Sequence, residues 1–178
     1  MNWIDDRIHS QPYVTDLSRR IRPHPISLPV IFFDGACLEG MMGYGAWIKI
    51  SQAERFLICC NGGEGSNNKA KLMALWIGRM AAYNFSLDAV HIYGDSKIII
   101  DGISGQSSFS SLGCQEWFAR TKYLWIKMGE PPLTHIYREK NNKADGLSKK
   151  RLRLTFGNLQ VSHYKDGHPT RIFDVPIP

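Results

Sequence analysis

Three aspartates occupy places where a carboxylate can take part in metal chemistry. Asp34 ends the apolar segment 30–33, Asp95 follows the apolar segment 89–93, and Asp145 lies near the start of the last predicted helix. Side chains at such boundaries can converge over one edge of a sheet, and carboxylate oxygens are the ligands that Mg²⁺ prefers. The pattern therefore indicates a site for Mg²⁺ or Mn²⁺, although each aspartate taken alone is more typical of a cap or a turn.

A run of basic residues surrounds the third aspartate. Between positions 138 and 153 the sequence has seven lysines and arginines but only two acids, Glu139 and Asp145. The net charge of +6 is compatible with a polyanionic partner. A solvated helix face explains such a run equally well, so the charge pattern alone does not decide between the two interpretations.

The hydrophobic pattern predicts the elements that position these residues. Short β-branched and aromatic runs predict five strands, at residues 30–36, 44–50, 55–60, 89–93 and 133–137. Helical spacing predicts a helix that contains residues 72–83 and begins with Ser66 or Asn67 as its N-cap, and three more at residues 95–103, 112–128 and 141–152. This order predicts an α/β fold, a mixed five-stranded sheet flanked by helices, with an extra C-terminal hairpin.

The length of 178 residues and the hydrophobic content of 43% predict one domain with terminal extensions. We expect an extended arm at residues 1–28, the domain at 29–153 and a C-terminal extension at 154–178. No apolar stretch reaches the roughly 20 residues of a membrane helix, and the acidic start is unlike a secretory signal. We therefore expect an intracellular protein, nuclear or cytoplasmic, with no membrane partner and four free thiols, Cys37, Cys59, Cys60 and Cys114.

Four segments in this order resemble the type 1 ribonuclease H domains of plant retroelements, the non-LTR retrotransposon reverse transcriptases. The segments are Phe33-Asp-Gly-Ala36, Asn67-Asn-Lys-Ala-Lys-Leu72, Tyr93-Gly-Asp-Ser-Lys97 and His135-Ile-Tyr-Arg-Glu-Lys-Asn-Asn-Lys-Ala-Asp-Gly-Leu-Ser148. Each is short, but their combination is specific, and the resemblance covers residues 30–152. It implies a ribonuclease H-like fold and a four-carboxylate, two-Mg²⁺ site that hydrolyses the RNA strand of an RNA–DNA hybrid, with one ion activating water and the other stabilising the leaving oxygen.

The resemblance assigns Asp34, Asp95 and Asp145 to three of the four metal-binding acids, and it places Lys71 at the position of the fourth, a glutamate. A cation roughly 4 Å from Mg²⁺ costs about 4 kcal/mol per unit of ion charge at an effective dielectric constant of about 20. Lys71 also stands in the first turn of a helix, where acids are favoured. We therefore expect Lys71 to pair with Asp34 and Asp95 in place of a metal; Glu64 is an alternative fourth ligand.

The resemblance and the basic run together predict a nucleic-acid surface that does not need the missing glutamate. Its predicted members come from the start of the first helix and from the segment around the last one, and they are Asn67, Asn68, Arg138, Lys140, Asn141, Lys143, Lys149, Lys150 and Arg151. We expect the partner to be an RNA–DNA hybrid or another double-stranded nucleic acid.

Three functions remain open from the sequence. The chain is a nucleic-acid-binding domain with impaired catalysis, an active ribonuclease that uses Mg²⁺ or Mn²⁺, or a protein-interaction module that has kept only the fold. A metal cofactor is expected only if the carboxylate site is competent. Cleavage of a labelled hybrid separates the second function from the others, and salt-dependent hybrid binding separates the first from the third.

Overall fold

The computed structural model describes residues 29–150, 154 and 156–176, so the predicted arm at 1–28 lies outside the described residues. This part of the chain contains seven strands: β1 Val30–Leu38, β2 Met41–Lys49, β3 Glu54–Glu64, β4 His91–Gly94, β5 Leu133–His135, β6 Asn158–Lys165 and β7 His168–Pro176. Its α-helices are α1 Asn67–Asn84, α2 Lys97–Ser104, α3 Gln115–Lys127 and α4 Asn142–Lys149, and a 3₁₀ turn at Arg138–Lys140 precedes α4. None of these described helices is long and apolar enough to cross a membrane.

All seven strands form one mixed sheet in the order β5-β4-β1-β2-β3-β6-β7. The pairs β5–β4 and β4–β1 are parallel, and the pairs β1–β2, β2–β3, β3–β6 and β6–β7 are antiparallel. The predicted α/β class and the mixed sheet with flanking helices are therefore confirmed.

The predicted strand count was wrong, because the C-terminal hairpin belongs to the main sheet. Strand β6 pairs with β3 from Glu54, opposite Lys165, to Cys60, opposite Leu159. Without the hairpin, β3 would be an edge strand with one row of unpaired backbone groups. Pairing with β6 satisfies these groups and extends the sheet from five strands to seven.

Helices cover both faces of the sheet. Ile31 and Phe33 lie in the larger core, which contains buried residues of α1 and α2, whereas Val30 and Phe32 lie in a second core with Ala144 of α4. This alternation is the period of two that a strand imposes on its side chains. It also places the adjacent Cys60 and Cys59 on opposite faces, as predicted, and all four cysteines are free thiols.

Several predicted boundaries shift by a few residues for local reasons. Strand β4 begins two residues later than predicted, after Ala89, whose φ of 28° is incompatible with an extended strand. Helix α2 begins after Ser96, so Asp95 precedes the helix instead of starting it. Helix α3 begins after Cys114, because Gly113 has a left-handed φ of 74°.

Candidate functional site

A glycine brings the start of α1 into contact with β1. A Cβ atom at Gly35 would lie 2.2 Å from the carbonyl carbon of Ala70 and 2.4 Å from the backbone nitrogen of Lys71. Only a residue without a side chain permits this approach. Ser66 fixes the same helix end, since its Oγ accepts a hydrogen bond from the backbone N–H of Lys69 at 3.3 Å. As a result, Lys71 lies beside Asp34, the residue before the glycine.

Lys71 joins two buried carboxylates. Its Nζ donates to Asp34 Oδ1 at 2.5 Å and to Asp95 Oδ1 at 2.7 Å. The exposed fraction is 20% for the lysine side chain, 2% for Asp34 and 4% for Asp95. The backbone N–H of Gly35 donates a further hydrogen bond to Asp34 Oδ1 at 2.8 Å. The ion pair expected from the sequence is therefore present, with the ammonium between the two acids.

The pKa values of this cluster are set by burial and by the charges that share it. Burial raises the pKa of Asp34 above its ordinary 3.8, and the Lys71 ammonium opposes that rise. For Lys71, burial lowers the pKa, but the two carboxylates outweigh it and hold the pKa above its ordinary 10.5. Lys71 is therefore fully charged at neutral pH, so the site carries a permanent cation.

A second glycine brings α4 onto the other face of the sheet at the same level. Gly45 of β2 faces Asp34 in the β1–β2 register. A Cβ atom there would lie 2.5 Å from the Cβ of Leu147, which shows that α4 packs directly on the strand. The chain before α4 is tied to β1, because the Nδ2 of Asn141 donates to the carbonyl oxygen of Phe33 at 2.9 Å.

Asp145, on this helix, pairs with basic residues of its own segment. Lys149 Nζ lies 2.5 Å from its Oδ2, and an Arg138 guanidinium nitrogen lies 3.7 Å from its Oδ1. The carboxylate is 18% exposed, far more open than Asp34. Each of the three predicted acids is thus paired with a cationic side chain.

The residues present do not fit a divalent metal ion in this arrangement. Within the described ranges, no group of three or more His, Cys, Asp or Glu side chains is placed to hold a metal. Asp34 and Asp95 are brought together, but through the Lys71 ammonium, and Asp145 is held by Lys149. The expected convergence of three carboxylates on one ion therefore does not occur here.

Glu64, the alternative fourth ligand, lies away from this cluster. It is the exposed last residue of β3 and faces Met41, whose partner on β1 is Leu38. Leu38 is four positions beyond Asp34 along β1. Because Glu64 lies at the end of a strand, the register holds it far from Asp34.

Three of the predicted basic residues are exposed on or near α4. Arg138 and Lys149 are 74% and 55% exposed, and Lys150 is also exposed. Lys143 packs its ammonium over the Trp47 ring, 4.1 Å from the ring centre, a cation–π contact. Lys140 is half-buried. Arg151 lies outside the described residues.

The three predicted asparagines hold local structure. Asn67 Oδ1 accepts from the backbone N–H of Cys37 at 2.7 Å, and Asn68 Nδ2 donates to Ser111 Oγ at 3.3 Å. Asn67 is nevertheless exposed and Asn68 half-buried. Asn141 is only 1% exposed, so its side chain belongs to the core and not to the surface.

Sequence reasoning missed the features that set the geometry of the site. These are the two close approaches at Gly35 and Gly45, and the pairing of Asp145 with Arg138 and Lys149. A glycine inside a strand pattern is a signal of close backbone approach, and both glycines stand within predicted strands. The spacing of Asp145 and Lys149, four apart on a helix, is also a readable signal.

Comparison with known proteins gives consistent matches. The model of the family described as "Reverse transcriptase-like" matches residues 32–151. A ribonuclease HI from Halobacterium salinarum is 26% identical over 143 residues, which is 78% of this chain and 71% of that protein. The structure of RNase H1 from H. salinarum NRC-1 superposes with a TM-score of 0.63 at 23% identity, over 70% of this chain and 97% of the other. The structure of LC11-RNase H1 in complex with an RNA/DNA hybrid superposes with a TM-score of 0.64 at 23% identity, over 71% of this chain and 97% of the other. The fold is therefore ribonuclease H-like.

Proposed function

The chain belongs to the reverse transcriptase-like family, and from this membership we propose that it is a ribonuclease H-like domain that binds RNA–DNA hybrid or double-stranded nucleic acid and is impaired in metal-dependent cleavage. The observation that carries the proposal is the contact of Lys71 Nζ with both Asp34 and Asp95. The relatives support the choice of nucleic acid, since one is a ribonuclease HI and another was solved with an RNA/DNA hybrid.

The impairment follows from the charge that Lys71 brings to the site. In our proposal Lys71 replaces the glutamate of a plant retroelement ancestor, which changes the local charge by two units. A divalent ion would have to approach two carboxylates that already hold an ammonium within 2.7 Å. An ammonium that stays near the bound ion repels it, and this repulsion costs about 4 kcal/mol per unit of ion charge at a separation of roughly 4 Å. We therefore assign no step of cleavage to a metal ion in this chain.

Binding does not depend on that metal, because a duplex is recognised through its phosphates and its shape. The proposed surface is the basic ridge, which we define as Arg138, Lys140, Lys143, Lys149, Lys150 and Arg151. Arg138 and Lys149 pair with Asp145. Both are more than half exposed, so they can exchange that carboxylate for a phosphate at little cost.

The test measures hybrid binding by fluorescence anisotropy across a salt series, in EDTA and in millimolar Mg²⁺. We compare the parent chain with Lys149→Ala/Lys150→Ala/Arg151→Ala, and with the matched control Lys122→Ala/Lys165→Ala/Arg171→Ala, which removes three cations elsewhere. The parent should bind in EDTA without any need for Mg²⁺, and its affinity should fall steeply with added salt, Mg²⁺ included, because cations compete for the phosphates. Each phosphate-contacting residue removed from the ridge should make the log–log slope shallower by roughly 0.7 to 0.9, and the control should match the parent.

Three outcomes would contradict the proposal or its placement of the binding surface. Absence of binding by the parent at low salt would favour the protein-interaction function. Cleavage of the hybrid by the parent in Mg²⁺ or Mn²⁺ would favour the active ribonuclease. Equal slopes for the parent and the ridge variant would move the binding surface away from α4.

A further inference from the structure

A cleft opens at the other end of α1, away from the Lys71 site. It has a volume of about 850 Å³ and lies between the end of α1, the loop to β4 and the loop from α3 to β5. Arg79 lines it, eight residues beyond Lys71 on α1, or roughly 12 Å at 1.5 Å per residue. The volume is within the usual range for small-molecule sites, roughly 300 to 1,000 Å³.

Arg79 is a buried cation without a partner. Its residue is 1% exposed, and neither its Nε nor its two Nη atoms has a hydrogen-bond partner within the described part of the chain. The buried Lys49, by contrast, donates from Nζ to Gln52 Oε1 at 2.8 Å. Burial lowers the pKa of Arg79 to about 10, so the guanidinium stays charged at neutral pH. A buried charge normally has a counter-charge, so the observation points to an anion that belongs at this place.

The lining of the cleft indicates which anion fits. Apolar surface comes from Leu87, Val90, Met128 and Pro131. Asp88 and Glu130 add negative charge, and Lys127 adds a second positive charge. These two acids would repel a phosphate dianion more strongly than a monoanion. A planar carboxylate matches the fork of guanidinium N–H donors. We propose that the cleft binds a small organic monocarboxylate with an apolar body, with its carboxylate paired to Arg79 and its body against the apolar lining.

The rim of the cleft contains several residues in an unusual backbone conformation. Of the five non-glycine residues with positive φ in the described chain, three line this cleft: Ser86 at 54°, Ala89 at 28° and Glu130 at 52°. Such conformations are unfavourable for residues with a side chain, and they gather at functional sites. Because the guanidinium nitrogens are covered, the carboxylate reaches Arg79 by displacing lining side chains.

The test uses hexanoate as the probe and inorganic phosphate as the comparison anion. Melting temperatures are measured against probe concentration for the parent, Arg79→Met and the control Lys122→Met, which removes a cation outside the cleft. Methionine is apolar and suits a buried helix position, so Arg79→Met should fold and start at a higher melting temperature. Hexanoate should raise the melting temperature of the parent and of Lys122→Met saturably, and leave Arg79→Met unchanged. An equal response of all three chains, or no response of the parent, overturns the proposal, and an equal effect of phosphate on the parent overturns its preference for a carboxylate.

A second measurement observes the guanidinium directly. The Arg79 Nε–Hε signal in a ¹⁵N-correlated NMR spectrum is identified by its loss in Arg79→Met. Hexanoate should shift this signal along a saturable curve, and the Nε–Hε signals of the other arginines should stay in place. An Arg79 signal that does not move contradicts binding at Arg79. A shift that does not saturate and that the signals of the other arginines share contradicts it as well.

Discussion

Lys71 relieves the electrostatic repulsion between two buried carboxylates. Asp34 and Asp95 are both nearly buried, and two buried carboxylates this close repel one another unless a cation lies between them. In this chain the ammonium is that cation. Helix α1 begins at Asn67, so Lys71 is its fifth residue and lies just beyond the first turn, not within it as predicted. The helix dipole therefore opposes the lysine only weakly, and the contacts with the two aspartates outweigh that effect.

Replacing Lys71 by methionine should destabilise the fold because it leaves two buried acids without a counter-charge. Removal of one partner of a buried pair costs about 3 to 5 kcal/mol, and the lower end is expected since the lysine is 20% exposed. Urea unfolding in EDTA measures this loss, and Mg²⁺ should restore part of it in the variant only. The control Lys97→Met removes an exposed helical pair with Asp101 and should cost less than about 1 kcal/mol. Equal stability of the parent and Lys71→Met in both buffers would show that the ion pair contributes nothing.

The contribution of Lys71 should also depend on pH. Its pKa in the folded chain is raised above 10.5. A raised pKa means that the stabilisation is fully present below pH 10.5 and is lost as the pH rises through the folded-state value. The difference in free energy of unfolding between the parent and Lys71→Met should therefore be constant from pH 7 to 9 and shrink above 10.5. A difference that grows at alkaline pH contradicts this assignment.

Two helices are positioned by contacts with strand backbones at glycines. Helix α1 meets β1 at Gly35, and α4 meets β2 at Gly45, which is paired with Asp34. The two approaches lie on opposite faces of the sheet at one level. They bring Lys71 and the start of α4 to the same part of the sheet, so the position of the site depends on the absence of two side chains.

Gly35→Ala should therefore disturb both the fold and the site. Its Cβ would meet the backbone of α1 at 2.2 Å, and backbone cannot move aside as a flexible side chain does. Overpacking of this kind costs about 1 to 3 kcal/mol, and displacing α1 would also lengthen the Lys71 ion pairs. The control is Gly146→Ala, where nothing lies within 4 Å of the new Cβ and a gain of about 0.5 to 1 kcal/mol is expected. Urea unfolding measures the free energy of unfolding of both variants. Similar changes for Gly35→Ala and Gly146→Ala would contradict the argument that the close approach requires a glycine at position 35.

The sheet extends beyond the residues that the family model matches. The reverse transcriptase-like match ends at residue 151, whereas β6 and β7 continue the sheet to Pro176. The hairpin adds Leu159 and Val161 to the core. It also stacks His163 on Phe56 of β3, with ring centres 4.4 Å apart. It is thus integral to the fold, which is why the strand count from the sequence fell short.

Removing the hairpin should expose the edge of β3. A chain that ends at Gly157 is expected to melt at a lower temperature and to associate as its concentration rises, because an open edge strand pairs with other chains. Differential scanning calorimetry and light scattering measure the two effects. If the truncated chain keeps the melting temperature and the mass of the parent, the hairpin is not needed to protect β3.

The sequence predicted the order and type of the elements well, because alternating and helical hydrophobic patterns are local signals. The ion pair of Lys71 with Asp34 was also predictable, since a lysine in an acidic site needs a partner. The pairing of Asp145 with Lys149 was not predicted, because the resemblance assigns Asp145 to a metal site. Arg79 is buried and has no hydrogen-bond partner among the described residues, which depends on packing between distant segments that no local pattern encodes.

The rate of hybrid cleavage in Mg²⁺, measured for the parent and for Lys71→Glu, tests most directly whether Lys71 blocks catalysis. The variant restores a fourth carboxylate next to Asp34 and Asp95, so it should bind Mg²⁺ more tightly and cleave the RNA strand of a labelled hybrid. Lys71→Gln, which removes the charge without adding a carboxylate, should stay far less active. The parent should leave the hybrid intact while still binding it. Cleavage by the parent at the rate of the variant would contradict the account, as would a Lys71→Glu chain that folds and binds Mg²⁺ but does not cleave.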